Sequence, residues 1–224
     1  MRFFLSLLIG IVFTFSANAQ LPSGSVAPDF TVTDINGNSH HLYQYLNQGY
    51  TVVLQFDATW NGPGWNYSNS GALSDLYYAH GVDFGGNVVV LFIEADGSTA
   101  TSTLYGGSGS QGDWSVLIPF PIINLPSSGG YDTELGSLYE IGCYPTIYTI
   151  CPNGIVSETG QISADEHWSF IQSSNCQAIY QVDSYIHNYS GSTATCGDVE
   201  INFTLSNLGS DPLTNGQITV TGVS

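Results

Sequence analysis

Residues 58–65, Ala58-Thr59-Trp60-Asn61-Gly62-Pro63-Gly64-Trp65 (ATWNGPGW), stand where two patterns meet. Before them, Tyr50-Thr51-Val52-Val53-Leu54-Gln55-Phe56 is a nearly continuous apolar run, the kind of strand that is buried on both faces of a parallel sheet. After them, the chain reads as a helix from Asn61 to about His80. Asn61 suits an N-cap, and Pro63 falls in the first turn, where a missing N–H is no loss. Trp65, Ala72, Leu73, Leu76 and Tyr77 give that helix an apolar stripe. The next apolar run, NVVVLFIEA at 87–95, completes a strand–helix–strand unit with parallel pairing.

Working outward, FTVTD at 30–34 alternates and ends in Asn36-Gly37-Asn38, a short strand and turn, and HLYQYL at 41–46 forms a helical turn. Residues 98–126 are rich in Gly, Ser, Thr and Pro and read mostly as an insertion loop carrying Trp114, with a short helical segment at 102–105. Asp132–Glu140 is expected as a helix closed by Gly142. Thr146–Ile150 and Ile155–Thr159 are strands joined by the turn Pro152-Asn153-Gly154. Ser163-Ala164-Asp165-Glu166 is a capping box opening a last helix that ends near Asn175. From Gln177 onward Gly, Ser and Thr dominate. A polar linker leads to Val199, Ile201, Phe203 and Leu205, which alternate with polar residues, and Gln217–Val220 reads as a further strand.

The first residues carry one basic side chain, Arg2, then an apolar run from Phe3 to Phe15 and the small-x-small triplet Ala17-Asn18-Ala19. The run is too short for a membrane span and has the form of a secretory signal, so residues 1–19 are expected to be removed and the remainder to be secreted or displayed at the cell surface. Arg2 is the one Lys or Arg of the chain, against 18 Asp and Glu, for a net charge of −17. Such a chain repels phosphates and anionic lipid, which argues against nucleic acid or a membrane surface as partner. A hydrophobic content of 42% is enough for a core, so the scarcity of charge does not mean disorder.

The spacing strand, W-x-G-P-x, helix, strand, then Tyr144-Pro145-Thr146 opening a strand hairpin resembles the thioredoxin-like superfamily, and Ala27-Pro28-Asp29-Phe30 resembles the start of its redoxin branch of exported thiol oxidoreductases. The resemblance covers residues 25–176. It implies an α/β fold, a thioredoxin-like sheet flanked by helices; the alternating strands after it read as the start of an all-β sandwich module. The expected domains are 20–176 for the thioredoxin-like unit and 177–224 for the linker and an incomplete β-sandwich. A β module at the end of such a chain is also similar to secreted modular proteins of Bacteroidetes type. By the same resemblance Pro145 would be cis and face Asn61–Gly64. Trp60, Pro63, Tyr144 and Pro145 would then form a groove able to hold an extended peptide or protein segment.

The departure from that family lies at the two positions that carry its chemistry. A thiolate at a helix N-terminus, with its pKa lowered there, attacks a disulfide, and a second thiol one turn on resolves the mixed disulfide. Here those positions are Asn61 and Gly64, and neither is a nucleophile. No cofactor and no metal are expected. The leading expectation is therefore a non-catalytic binding or scaffold module, and the alternative is an oxidoreductase using a non-standard cysteine such as Cys143.

The four cysteines, Cys143, Cys151, Cys176 and Cys196, suggest disulfides in an exported chain. Cys143 and Cys151 are separated by an extended strand that places them more than ~20 Å apart. Cys176 is expected to pair with Cys196, tying the two modules together, which leaves Cys143 as a candidate free thiol or a buried small hydrophobe. Asp57, Glu94 and Asp96 lie near the C-terminal ends of the parallel strands, where they read as a solvated rim or, less simply, a calcium site.

Overall fold

The computed structural model describes residues 20–124, 134–173 and 176, together with the backbone of 184–191 and 201–207. The elements run β1 (Thr31–Thr33), β2 (Ser39–His41), α1 (Leu42–Asn47), β3 (Thr51–Asp57), α2 (Gly62–Asn69), α3 (Ala72–His80), β4 (Val88–Glu94), α4 (Trp114–Leu117), β5 (Ile122–Asn124), α5 (Glu134–Leu138), β6 (Thr146–Ile150), β7 (Val156–Glu158), α6 (Ala164–Gln172), β8 (Ser184–Gly191) and β9 (Ile201–Asn207). The central sheet has the order β5-β4-β3-β6-β7. β3 pairs in parallel with β4 from Thr51↔Val88 to Asp57↔Glu94, and antiparallel with β6.

The alternation of side chains along β3 divides the core into two layers. Val52, Leu54 and Phe56 enter one layer with Leu42, Leu91, Ile93, Tyr139 and Tyr148. Val53 enters the other with Leu73, Leu76, Val90, Phe92, Trp114 and Ile171. Every residue of β3 and β4 is buried, as a central strand covered on both faces requires.

Neither edge of the sheet is left open. At β7, the Val156 N–H donates to the Ser25 carbonyl (2.9 Å) and the Gly24 N–H to the Val156 carbonyl (2.8 Å). At β5, the Ile35 N–H donates to the Ile122 carbonyl (2.9 Å). The residues ahead of the first helix thus satisfy backbone groups that would otherwise invite pairing with another chain.

Three elements differ from the sequence reading. The single helix expected from Asn61 to His80 is two, because Gly71 takes a left-handed conformation (φ 80°) between α2 and α3. The insertion is more ordered than its composition suggests, supplying α4 and the edge strand β5. The stretch after Gln177, read as a linker, contains β8, which pairs antiparallel with β9. Its register is irregular between His187 and Ser190, and that irregularity hides the period-2 signal. The expected strand at Gln217–Val220 lies outside the described residues. The hairpin turn at Gly154 (φ 77°) and the Ser163–Glu166 capping box are as read from the sequence.

Cys176 is bonded to Cys151, not to Cys196 as expected; Cys196 lies outside the described residues. Cys151 follows β6 and Cys176 follows α6, so the bridge fastens the last helix to the sheet, with both residues buried. A closure of 25 residues stabilises by about 3 kcal/mol on the chain-entropy account.

Candidate functional site

The loop between β3 and α2 carries the residues in question. Asn61 occupies the N-cap position of α2 with extended backbone, but its side chain makes no capping bond. Its amide Nδ2 instead donates to Asp57 Oδ1 at 2.9 Å. Asp57 also accepts from the Ala58 N–H (2.9 Å) and from Gln55 Nε2 (2.9 Å). A Cβ added at Gly64 would overlap the Asp57 carboxyl, both oxygens and the carbon. Asp57 therefore fills the space at the second of the two key positions and bonds the side chain at the first.

Asp57 and Glu94 face each other across the parallel register and lie on the same side of the sheet. Glu94 accepts from the Thr59 N–H (2.8 Å) and the Asp96 N–H (3.1 Å), joining the loops that follow β3 and β4. Asp96 accepts from Trp60 Nε1 (2.7 Å) and from the Ser98 hydroxyl and N–H. The three carboxyls expected on a solvated rim are buried, at 0%, 1% and 8% exposure for Asp57, Glu94 and Asp96. Among the described residues no group of three or more His, Cys, Asp or Glu is placed to hold a metal ion.

Burial pushes Asp57 up to about 6 despite the bonds from Asn61, Gln55 and Ala58, and pushes Glu94 up to about 7 against the N–H groups of Thr59 and Asp96. Burial acts in the same sense on Asp96, but there the donors, led by Ser98 and Trp60, outweigh it and leave the carboxyl below its ordinary value.

Of the expected groove residues, Trp60 and Tyr144 come together, their rings edge to face at 6.0 Å. Trp60 is half-exposed, with its indole held by Asp96. The Tyr144–Pro145 peptide is cis. Pro63 is exposed and lines a different concavity, between α2, α3 and the residues entering α6. Cys143 is a free, exposed thiol whose Sγ lies 3.5 Å from Gln20 Oε1 and 3.9 Å from Thr146 Oγ1.

The insertion closes one side of the site. The Thr59 carbonyl accepts from the Gln111 N–H (3.0 Å), Trp114 Nε1 (3.0 Å) and the Ser110 hydroxyl (3.3 Å), and the Trp60 carbonyl accepts from Gln111 Nε2 (2.8 Å). Trp65 packs edge to face on the buried Trp114 at 5.1 Å. The roles of Gln55, Asp57 and Gln111 escaped the sequence reading. The available signal was a Gln and an Asp at alternate positions on one face of an otherwise largely apolar strand, directly ahead of the W-N-G-P-G turn.

No family model matches the chain. Over 49 residues, 22% of its length, it is 41% identical to the thiol-disulfide oxidoreductase ResA of Geobacillus kaustophilus, and it spans about a quarter (27%) of the length of that curated relative. Two solved structures from Bacteroides thetaiotaomicron align over most of the described chain. A candidate protein disulfide isomerase gives a TM-score of 0.51 at 20% identity, covering 70% of this chain and 90% of its own. The C-terminal domain of a candidate thiol-disulfide oxidoreductase gives 0.52 at 16% identity, covering 70% and 97%. The α/β sheet flanked by helices is thioredoxin-like in fold.

Proposed function

We propose that residues 20–176 are a non-catalytic thioredoxin-like module of an exported, modular protein, serving as a binding or scaffold unit. The observation that carries this reading is the chemistry of the β3–α2 loop. Asn61 and Gly64 stand where a thiol pair would act, and the Asp57 carboxyl occupies the space a second thiol would need. A carboxyl wedged between these positions does not transfer electrons, and its bonds stabilise the loop in a form that no longer admits a disulfide. The exposed Trp60, braced by Asp96 and touching Tyr144 beside Pro145, offers an aromatic face for an extended peptide or protein segment. Residues 1–19 serve as its export signal, placing the module outside the cytoplasm or on the cell surface.

Reduction of insulin disulfides in the presence of dithiothreitol is the test. The chain is expected to give the uncatalysed rate. A second reading, an oxidoreductase working through the exposed Cys143 thiol, is favoured by that one exposure. Turnover that disappears on Cys143→Ser would establish it and overturn the first.

A further inference from the structure

The concavity between α2, α3 and the segment 161–165 encloses about 890 Å³ and takes no part in the site described above. Its lining includes the exposed Pro63 and Ala79, with Tyr67, Ala72 and Leu76 buried behind them. Tyr67 is fixed from below: its hydroxyl donates to the Ile162 carbonyl (3.0 Å) and lies 2.8 Å from Nε2 of the buried His167. One wall is His80, locked by parallel stacking on Trp168 at 3.5 Å and 5°. Asp75, in the first turn of α3, and Asp165, in the first turn of α6, contribute exposed carboxylates to the lining. Among the described residues neither carboxylate is paired with a cation, and the chain has no Lys or Arg beyond Arg2 to supply one.

That composition selects the occupant. A second copy of this chain would bring the same net charge of −17 and no Lys or Arg beyond Arg2, so self-association here is opposed. We propose that this concavity takes an extended segment of another protein carrying lysine or arginine side chains. The aliphatic stems lie along Pro63 and Ala79 while the charged ends reach Asp75 and Asp165. The site is separate from the Trp60–Tyr144 face, so it stands or falls independently of the function proposed above.

The test is fluorescence anisotropy of the full chain with a labelled, unstructured Gly/Ser peptide bearing spaced lysines, and with its counterpart carrying glutamine in their place. The lysine peptide is expected to bind and the glutamine peptide not to. Asp75→Asn with Asp165→Asn should weaken binding about fivefold, the scale of two partly screened surface pairs. Ala79→Trp, which occupies the concavity without removing a charge, should weaken it at least as much. Glu134→Gln with Glu158→Gln, which removes the same charge elsewhere, should leave it within a factor of about two. Absence of binding by the unaltered chain would overturn the proposal. Equal losses in the two charge-removing variants, or full affinity in Ala79→Trp, would reduce the attraction to the general field of an acidic protein and overturn it as well.

Discussion

Placing a methyl group at Gly64 tests the arrangement of the loop directly. The Cβ of Gly64→Ala overlaps the Asp57 carboxyl, so either α2 moves away from β3 or Asp57 leaves its three donors, Ala58 N–H, Asn61 Nδ2 and Gln55 Nε2. Overpacking a closed site costs about 1–3 kcal/mol, and each displaced bond to a buried carboxylate about 1.5–3 kcal/mol. Alanine recovers about 1 kcal/mol of helix propensity, which leaves a loss of about 3 kcal/mol. Asp57→Ala alone strands the Ala58 and Asn61 donors, while Gln55 keeps its bond to Ser68, and it releases a buried charge, a loss of about 1–2 kcal/mol. The double variant has room for the new methyl group, so the two losses should fall short of additivity by about 2 kcal/mol. Urea unfolding of the four proteins, followed by tryptophan fluorescence, measures the coupling. Additivity within about 0.5 kcal/mol would refute the claim that Asp57 fills the space in front of Gly64. The same reasoning sets the conditions for restoring a thiol pair. Asn61→Cys with Gly64→Cys should form a disulfide readily only when Asp57→Ala is added.

Stability should rise on mild acidification. The folded-state pKa values of Asp57 and Glu94 are raised by burial, so the stabilisation from their protonation is complete below the ordinary carboxylate range and is lost as pH climbs through about 6 and about 7. His167, lowered to about 4 by burial, acts in the opposite direction: its contribution is complete above 6.5 and lost as pH falls toward 4. Between pH 7.5 and 5 the two carboxyls outweigh the one histidine by about 2 kcal/mol, measurable as a higher urea midpoint at pH 5; an equal or lower midpoint would refute the account. Trypsin should leave residues 20–176 uncut even after denaturation, since they contain no Lys or Arg, while chymotrypsin digests them. Mass mapping without reduction should recover Cys151 joined to Cys176, and Cys151→Ser should lower stability by about 3 kcal/mol, whereas Cys143 should react with a thiol reagent in the native protein. Recovery of Cys176 joined to Cys196 would contradict the structure.

Where the period of apolar residues was long and clean, the chain could be read directly. β3, β4, their parallel pairing and the β6–β7 hairpin rest on nearly continuous apolar runs and a Gly turn, and all are present. Interactions between distant elements left no local trace. The Cys151–Cys176 bridge depends on where α6 ends relative to β6, and four cysteines admit several pairings until that is known. The break at Gly71 hid inside a helical pattern that tolerates one glycine. At the site, sequence spacing marked Asn61 and Gly64 as changed. It left their common neighbour unidentified, because Asp57 reads as the polar end of a strand and not as the group that meets both.

The Thr59 carbonyl, shared by Gln111, Trp114 and Ser110, ties two distant segments together. An insertion in a surface loop is ordinarily free to lengthen, shorten or be exchanged between relatives. This one is not, since trimming residues 110–114 would strand an acceptor in the turn before α2 and uncover Trp65. Turn and insertion form one hydrogen-bonded unit. A chimera that carries the ATWNGPGW turn into another scaffold without its Ser110–Trp114 companion should inherit the sequence of the loop but not its shape.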